Sequence, residues 1–405
     1  MNKRIIFHID VNNAFLSWSA VYLLKNGYKQ DIRTIPSVIG GDEKMRHGIV
    51  LAKSPVAKKY GVVTAETLYS AKKKCPSLKV FPPNHDFYDK CSKELFAYLK
   101  NFSPQLEQFS IDECFIDMTG TTYLYKDYLK LANDIKEEVK KRFGFTVNVG
   151  IGNNKLCAKM ASDFEKPDKV HTLFNDEVKE KMWPLDVGEL FMVGKKTKEE
   201  LNKISIYTVR DLANADIKIL KKYFKNHAED LKRAAWGIDD SKIETKTKSS
   251  SVSTSQTFAY DITDEEKLKS ILFQYANDLT RQLRSKKQYA NTVAVIFKNN
   301  NFKSYTAQAK LNNATNETKE IYNLAISIFD KNYKKEPIRL IGLRLAELSF
   351  QKETQLTLFD KAIEEKKADV QMIVDSINEK FGKTLVAPAS LRQNIALNKN
   401  ESKNK

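Results

Sequence analysis

Phe109-Ser110-Ile111-Asp112-Glu113-Cys114-Phe115-Ile116-Asp117 is the stretch on which the reading of this chain turns. Side chains along a strand alternate between its two faces. Ahead of the acids the apolar positions are odd, Phe109 and Ile111. Beyond them Cys114, Ile116 and Met118 are even, and Phe115 blurs the pattern. A change of inward face at Asp112-Glu113 predicts a tight turn or bulge, with residues 105–119 as a hairpin. A bend lets neighbouring carboxylates converge, whereas a flat strand points them apart. Two acids held together resist joint ionisation unless a cation joins them. Mg²⁺, bound through one or two carboxylates plus substrate phosphates, suits such a pair. The competing reading is a solvated hairpin turn.

Outward from the hairpin, helix and strand alternate. A helix over 86–101 runs through Phe87, Cys91, Leu95 and Tyr98. A charged helix over 125–142, a strand over 145–151 and a helix over 154–163 follow. This set needs one more strand, and residues 3–10 (Lys-Arg-Ile-Ile-Phe-His-Ile-Asp) supply it, ending on a carboxylate. Asp10 then either caps a helix starting near Asn13 or joins the acidic tip as a third acid. The helix over 12–26 has Phe15, Trp18, Ser19 and Tyr22 at helical spacing and closes at Gly27. Strands at 37–39 and 48–52 and helices at 55–60 and 66–74 make a small inserted lobe, punctuated by Pro76, Pro82 and Pro83.

Residues 185–235 read as short basic helices, and 241–253 as a polar linker without a core face. Beyond it come a strand (252–258), a helix (264–286), strands (290–298, 302–310), a helix (316–331) and a strand (338–348). That β-α-β-β-α-β order is the ferredoxin-like arrangement, and the first folded unit echoes it. In the tail, Val370, Ile373, Val374, Ile377 and Phe381 form one helical face stopped by Gly382. The Asn- and Lys-rich end is read as disordered.

Composition narrows the function. The 405 residues carry 68 Lys and Arg against 51 Asp and Glu, a formal charge of +17. That surplus points to a polyanion, nucleic acid or an anionic membrane surface, over the alternative of a generally basic proteome. With 41% hydrophobic and 10% aromatic residues, wholesale disorder is excluded. The four cysteines, Cys75, Cys91, Cys114 and Cys157, form no Cys-x-x-Cys pair, so neither a zinc ribbon nor a disulfide framework is expected. The five histidines (His8, His47, His85, His171, His227) show no metal-binding spacing. Ile5-Ile6-Phe7 is too short for a signal peptide, and no stretch approaches a membrane span. The expectation is a cytoplasmic chain with no membrane partner.

Five blocks occur in order: Asp10-Val-Asn-Asn-Ala-Phe15, Val38-Ile-Gly-Gly-Asp42, Gly48-Ile-Val-Leu-Ala-Lys-Ser54, Ser110-Ile-Asp-Glu113, and Val149-Gly-Ile-Gly-Asn-Asn-Lys155 with Lys166-Pro167. Together they resemble the Y-family translesion DNA polymerases of the DinB/UmuC group, including the polymerase IV-like members. The resemblance spans residues 1 to about 350. It implies an α+β, multidomain right-hand polymerase. The palm (1–17 and 86–173) would be ferredoxin-like, with small fingers (18–85) and a helical, helix-hairpin-helix-like thumb (174–240). A linker (241–253), a β-α-β-β-α-β little finger (254–350) and a tail (351–405) would follow.

The implied activity is template-directed, low-fidelity DNA synthesis past lesions, using primer-template DNA, dNTPs and two Mg²⁺ ions. Asp10, Asp112 and the Val11 carbonyl look like metal ligands, and Glu113 resembles the third acid, on the primer side. Phe15 matches the steric gate that leaves no room for a ribose 2′-hydroxyl; read alone it is a core residue of its helix. Lys58 and Lys166 stand where triphosphate-binding cations are placed. Many members have Ser-Tyr-x-Ala-Arg where this chain has Ser54-Pro55-Val56-Ala57-Lys58, so a phenol is lost and an Arg fork becomes a point charge.

Met192-Val193-Gly194-Lys195-Lys196 occupies the place of a helix-hairpin-helix loop, with Met192 at the usual first glycine. Gly194, Lys195 and Lys196 are therefore candidate DNA contacts. Arg281, Arg284, Lys286, Lys287, Arg339 and Arg344 are candidate phosphate contacts, against the alternative of a solvated basic face. Gln355-Leu356-Thr357-Leu358-Phe359 resembles the peptide by which bacterial polymerases bind the sliding clamp, Leu358 and Phe359 filling an apolar pocket.

The chain is expected to be monomeric. Asp10-Val-Asn-Asn and Ile377–Phe381 lean toward the UmuC side, where an accessory subunit would be implied. A catalytically weak DNA- and clamp-binding derivative and a nucleotide-cyclase-like palm enzyme are the competing functions.

Overall fold

The computed structural model describes residues 4–43, 46, 48–121, 124–125, 127–245, 249–350, 376–377 and 380. The chain forms two compact units, 1–43 with 47–247 in the first and 44–46 with 248–405 in the second.

In the first unit β1 (Ile6–Val11) leads into α1 (Ala14–Lys25). β2 (Ser37–Gly40), β3 (Val50–Lys53), α2 (Pro55–Lys59), α3 (Leu68–Lys74) and β4 (Lys79–Phe81) follow. Then come α4 (His85–Leu99), β5 (Leu106–Gln108), β6 (Glu113–Asp117), α5 (Tyr128–Phe143), β7 (Val147–Gly152), α6 (Lys155–Asp163) and β8 (Val170–Leu173). Four short helices close the unit: α7 (Lys195–Lys203), α8 (Val209–Asn214), α9 (Ile217–Phe224) and α10 (His227–Ala235).

The main sheet has the order β5-β6-β1-β7-β8, antiparallel except where β8 lies parallel on β7. β6 separates β1 from β5, and β1 separates β6 from β7, so both β-α-β crossovers are split. β1 is central, and all six of its residues are buried. Its two faces do different things. Phe7, Ile9 and Val11 join Cys114 and Ile116 in a core closed by α1, α4 and α5. Ile6 clusters instead with Phe115 and Ala158 of α6. Residues 114–116 are thus buried on both sides of the sheet, which is why Phe115 blurs the alternation.

Helix α6 lies close on the sheet because β7 offers glycine beneath it. A Cβ at Gly150 would stand 2.0 Å from the Ala158 carbonyl oxygen, and one at Gly152 2.7 Å from the Ala158 nitrogen. The other side of α6 gives Leu156, Cys157 and Met160 to the core of α7–α10, with Leu201, Leu212 and Leu220. The inserted lobe is a small sheet, β3-β2-β4, over Val38, Val50, Ala57 and Leu68.

The second unit contains β9 (Ser251–Ile262), α11 (Glu265–Ser285), β10 (Ala290–Asn299), β11 (Ser304–Thr315), α12 (Thr318–Asn332) and β12 (Ile338–Ala346). The element order is the one expected. The strand order, β11-β10-β12-β9, inserts β12 into the first crossover and β10 into the second, unlike the first unit. Leu272, Leu279, Val293, Val295, Phe329 and Leu343 are in its core.

Two expectations need correction. Asp10 does not cap α1: it lies inside β1, and Asn13 is the N-cap residue, at φ 50 and with no side-chain cap bond. The polar stretch ending at 253 is not all linker, because Ser251–Ser253 already pair with Arg344–Ala346. Their polarity reflects a sheet with one open face. Strands β4 and β8 carry no strong signal, being short and paired parallel to a neighbour. The tail helix over 370–382 lies outside the described residues except for 376, 377 and 380. Among the described residues no helix is long and apolar enough to cross a membrane.

Candidate active site

The turn expected at the acids is present, and Ser110 builds it. Its Oγ accepts from the Asp112 and Glu113 amides, both at 3.2 Å, and donates to Asp112 Oδ1 at 2.5 Å. The Phe109 and Ser110 amides donate to the Glu113 carbonyl at 3.0 and 3.1 Å, closing the hairpin. Glu113 opens β6 and faces Asp10 directly across the β1–β6 ladder, and the Val11 amide donates to the Asp112 carbonyl at 3.0 Å. Directly opposed antiparallel residues project on the same face. Asp10, Val11, Asp112 and Glu113 therefore meet at one end of the sheet, though more than a hundred residues apart in the chain.

Each carboxylate already has a partner. Lys166 Nζ is hydrogen-bonded to Asp10 Oδ2 and lies 2.8 Å from Asp163 Oδ1. Glu113 Oε2 accepts from Lys159 Nζ at 2.7 Å and meets His8 Nε2 at 3.1 Å. With the acids so distributed, no three His, Cys, Asp or Glu side chains among the described residues form a ready-made metal cage.

The electrostatics separate the two turn acids. Burial raises the Asp112 carboxyl above its ordinary value, and the charges of Asp10 and Glu113 raise it further against the Ser110 hydrogen bond. Burial also works against Glu113, but hydrogen bonds from His8 and Lys159 and the Lys159 charge bring it down to about 2. Lys166 and Lys159 are both held above the usual lysine value: burial opposes their charge, and the carboxylates they face outweigh it. The Asp112 side chain, raised by burial and then by like-charged neighbours, is one a divalent cation would relieve, and the donors are the hard oxygens such a cation takes.

Two asparagines brace the loop that carries Lys166. Asn148 faces Asp10 on β7 and is fully buried. Its Nδ2 donates to the carbonyls of Ser162 (3.0 Å) and Glu165 (2.6 Å), and its Oδ1 accepts from Asn12 Nδ2 (2.9 Å) and the Lys169 amide (3.2 Å). Asn12 Oδ1 accepts from the Asp168 amide at 2.9 Å and from Thr146 Oγ1 at 3.0 Å. His8, Asn12, Ser110, Asn148, Lys159 and Ser162 were not singled out by the sequence reading. His8 and Asn148 are polar at strand positions where a sheet interior predicts apolar side chains, the one signal that marks them.

Phe15 is half-buried, and its ring stacks on Tyr88, centroids 4.8 Å apart and 12° from parallel. Tyr88 is fixed from behind by a 2.6 Å hydrogen bond between its hydroxyl and Ser19 Oγ. Lys58 is exposed on α2, whose N-cap is Ser54, with Pro55 at the first helical position, where a missing N–H costs nothing. Gly194 is the exposed N-cap of α7, followed by exposed Lys195 and Lys196, and Met192 adopts φ 75 where a glycine is usual.

In the second unit the arginines do not form one patch. Arg281 and Arg284 are on α11, pairing with Asp278 at 3.4 Å and with the Asn316 carbonyl at 2.8 Å. Arg344 is on β12, where Leu343 and Leu345 face the helices, so it projects from the opposite side of the sheet, 3.3 Å from Gln308 Oε1. Arg339 lies over the Phe302 ring at 4.4 Å, and Lys286 and Lys287 are exposed. Gln355, Leu356, Leu358 and Phe359 lie outside the described residues.

Residues 9–163 match the impB/mucB/samB family, and residues 249–358 match the impB/mucB/samB family C-terminal domain. The DNA polymerase IV of Clostridium acetobutylicum is 46% identical over 385 residues, covering 95% of this chain and 97% of that protein. DNA polymerase IV 1 of Bacillus subtilis is 33% identical over 407 residues, covering 100% of this chain and 95% of the relative. A solved Dbh–Dpo4–Dbh Y-family DNA polymerase chimera superposes with a TM-score of 0.76 at 21% identity, over 86% of this chain and 100% of the chimera. That likeness speaks to the fold. The polymerase IV names of the relatives set aside the lean toward the UmuC side, and with it the reason for an accessory subunit.

Proposed function

The chain belongs to the impB/mucB/samB family, the Y-family DNA polymerases, on its DinB-like branch, and we infer that it is a DNA-directed DNA polymerase of translesion synthesis. The observation that carries this reading is the pairing of Asp10 with Glu113 across β1 and β6, beside the Asp112 turn, in a chain 46% identical to a polymerase IV over 95% of its length. The enzyme binds template DNA and depends on divalent metal, as the family does.

Beyond that, we assign the metal to two Mg²⁺ ions held by Asp10, Asp112, Glu113 and the Val11 carbonyl. Asp10, Asp112, Glu113 and the Val11 carbonyl would hold divalent metal that, when bound, would acidify the primer 3′-hydroxyl and offset charge on the departing pyrophosphate. The chain's own part is to hold these oxygens before substrate arrives. Ser110 orients Asp112, and the β1–β6 ladder orients Asp10 and Glu113. Lys166, beside Asp10, is the cation we assign to the incoming triphosphate, with exposed Lys58 as the second. Phe15, backed by Tyr88, forms the floor under the sugar and excludes a 2′-hydroxyl by clash.

We further assign DNA contacts to Gly194, Lys195 and Lys196 at the start of α7, where backbone N–H groups suit phosphate. Arg344 on the open sheet face, and Arg281 and Arg284 on the helical layer, would reach the duplex from different sides. Gln355–Phe359 serves as the clamp peptide, and the enzyme works as a cytoplasmic monomer. Primer extension with dNTPs and Mg²⁺ tests the assignment. Asp112→Ala abolishes nucleotide addition while DNA binding persists, and extension by that variant at the parent rate would overturn it.

A further inference from the structure

His8 stands two residues before Asp10 on the same face of β1, opposite Phe115 and Gly150, with no exposed surface. A buried imidazole is costly unless both nitrogens are used, and here both are. Nδ1 lies 2.8 Å from Ser162 Oγ, and Nε2 lies 3.1 Å from Glu113 Oε2. The ring also packs on Phe115, centroids 4.7 Å apart.

We propose that His8 is a positioning residue for the reaction: its Nε2–H fixes the Glu113 carboxylate, and Ser162 holds the ring from its other side. A carboxylate oxygen accepts, so Nε2 is the donor toward Glu113. Nδ1 meets the Ser162 hydroxyl, which can give or take a hydrogen bond and has the Lys159 carbonyl within reach at 2.7 Å, so Ser162 keeps the ring in place whichever way the hydroxyl is turned.

Lys159 Nζ takes the same Glu113 oxygen at 2.7 Å. Oε2 is therefore held twice, by groups from β1 and α6. Among the described residues Oε1 has no hydrogen-bond partner, and it is the oxygen left to face metal or primer. The close seat of α6 on Gly150 and Gly152 brings Ser162 and Lys159 to this carboxylate.

The proposal rests on the reading of Glu113 as a reacting-site acid, and the experiment separates the two. His8→Asn keeps an amide at the Nδ1 position, near Ser162, and loses Glu113; His8→Gln keeps a donor near Nε2. Single-turnover extension is expected to slow about tenfold in His8→Asn, with the KM for dNTP unchanged, and to stay within about threefold of the parent in His8→Gln. In the full-length parent, ¹⁵N spectra of the histidines show His8 carrying a proton on Nε2. Equal rates for His8→Asn and the parent, or a His8 ring with no proton on Nε2, overturns the proposal. Glu113→Gln is the separate control: if it extends primers normally, the reading of Glu113 itself fails. If it is inactive while His8→Asn is not, only the role of His8 fails. The spectrum needs no variant, so a folding defect in either one leaves the test intact.

Discussion

Replacing Asn148 by alanine should loosen the site without touching a reacting group. The side chain is fully buried and makes four hydrogen bonds, from Asn12 and the Lys169 amide and to the carbonyls of Ser162 and Glu165. A buried hydrogen bond contributes about 1 kcal/mol net, and truncation leaves its partners unpaired, so the expected loss is about 4 kcal/mol. Asn148→Asp is the sharper companion. It can keep the contacts to Asn12 and Lys169 but turns an oxygen toward two carbonyls, and should be no more stable than Asn148→Ala. The assay is urea unfolding followed by tryptophan fluorescence. Trp18, Trp183 and Trp236 are the three tryptophans of the chain, and all lie in the first unit, so the signal reports that unit alone. The loop from 164 to 169 carries Lys166, so the KM for dNTP should rise in both variants. A loss below about 1 kcal/mol in Asn148→Ala, or parent-like stability in Asn148→Asp, would refute the reasoning.

Gly150→Ala places a Cβ 2.0 Å from a backbone oxygen of α6, so it should cost about 3 kcal/mol or more and slow extension by lifting Lys159 and Ser162, read by the same unfolding assay and by single-turnover kinetics. Phe15→Ala should lower discrimination against ribonucleotides at least about tenfold, measured as the ratio of dNTP to NTP incorporation. Burial opposes ionisation of Asp168, but Lys136 and Lys140, each at 3.0 Å, hold its carboxyl below the ordinary 3.8. A depressed folded value stabilises above the unfolded one and is lost as pH falls through the folded value. Asp168→Asn should therefore lower stability at pH 7 and flatten its decline below about pH 4, measured by thermal melts across that range.

Much of this architecture was legible in the order of residues. The change of apolar face at Asp112-Glu113 announced the turn, and the need of 86–173 for another strand brought in residues 3–10, hence Asp10 beside Glu113. Where the pattern was local, in hairpin and helix, it carried through. What stayed hidden was non-local. His8 and Asn148 look like polar intrusions in apolar strands until α6 and its following loop supply their partners from positions 162 to 169. The strand inserted into each split crossover is likewise a matter of packing, since the same β-α-β-β-α-β order yields different sheet orders in the two units. Gly150 and Gly152 were visible as a motif, but their use, letting a helix backbone touch a strand, needs the third dimension.

Asp10 and Asp112, brought together by β1 and the hairpin turn, are proposed to share divalent metal at the reacting phosphate. A crystal of the enzyme with primer-template DNA, a non-extendable primer end, dNTP and Mn²⁺ tests it by anomalous scattering. A manganese peak bridging the carboxylates of Asp10 and Asp112 is the predicted result. Manganese bound elsewhere, with Lys166 still on Asp10 and the dNTP in place, would contradict it.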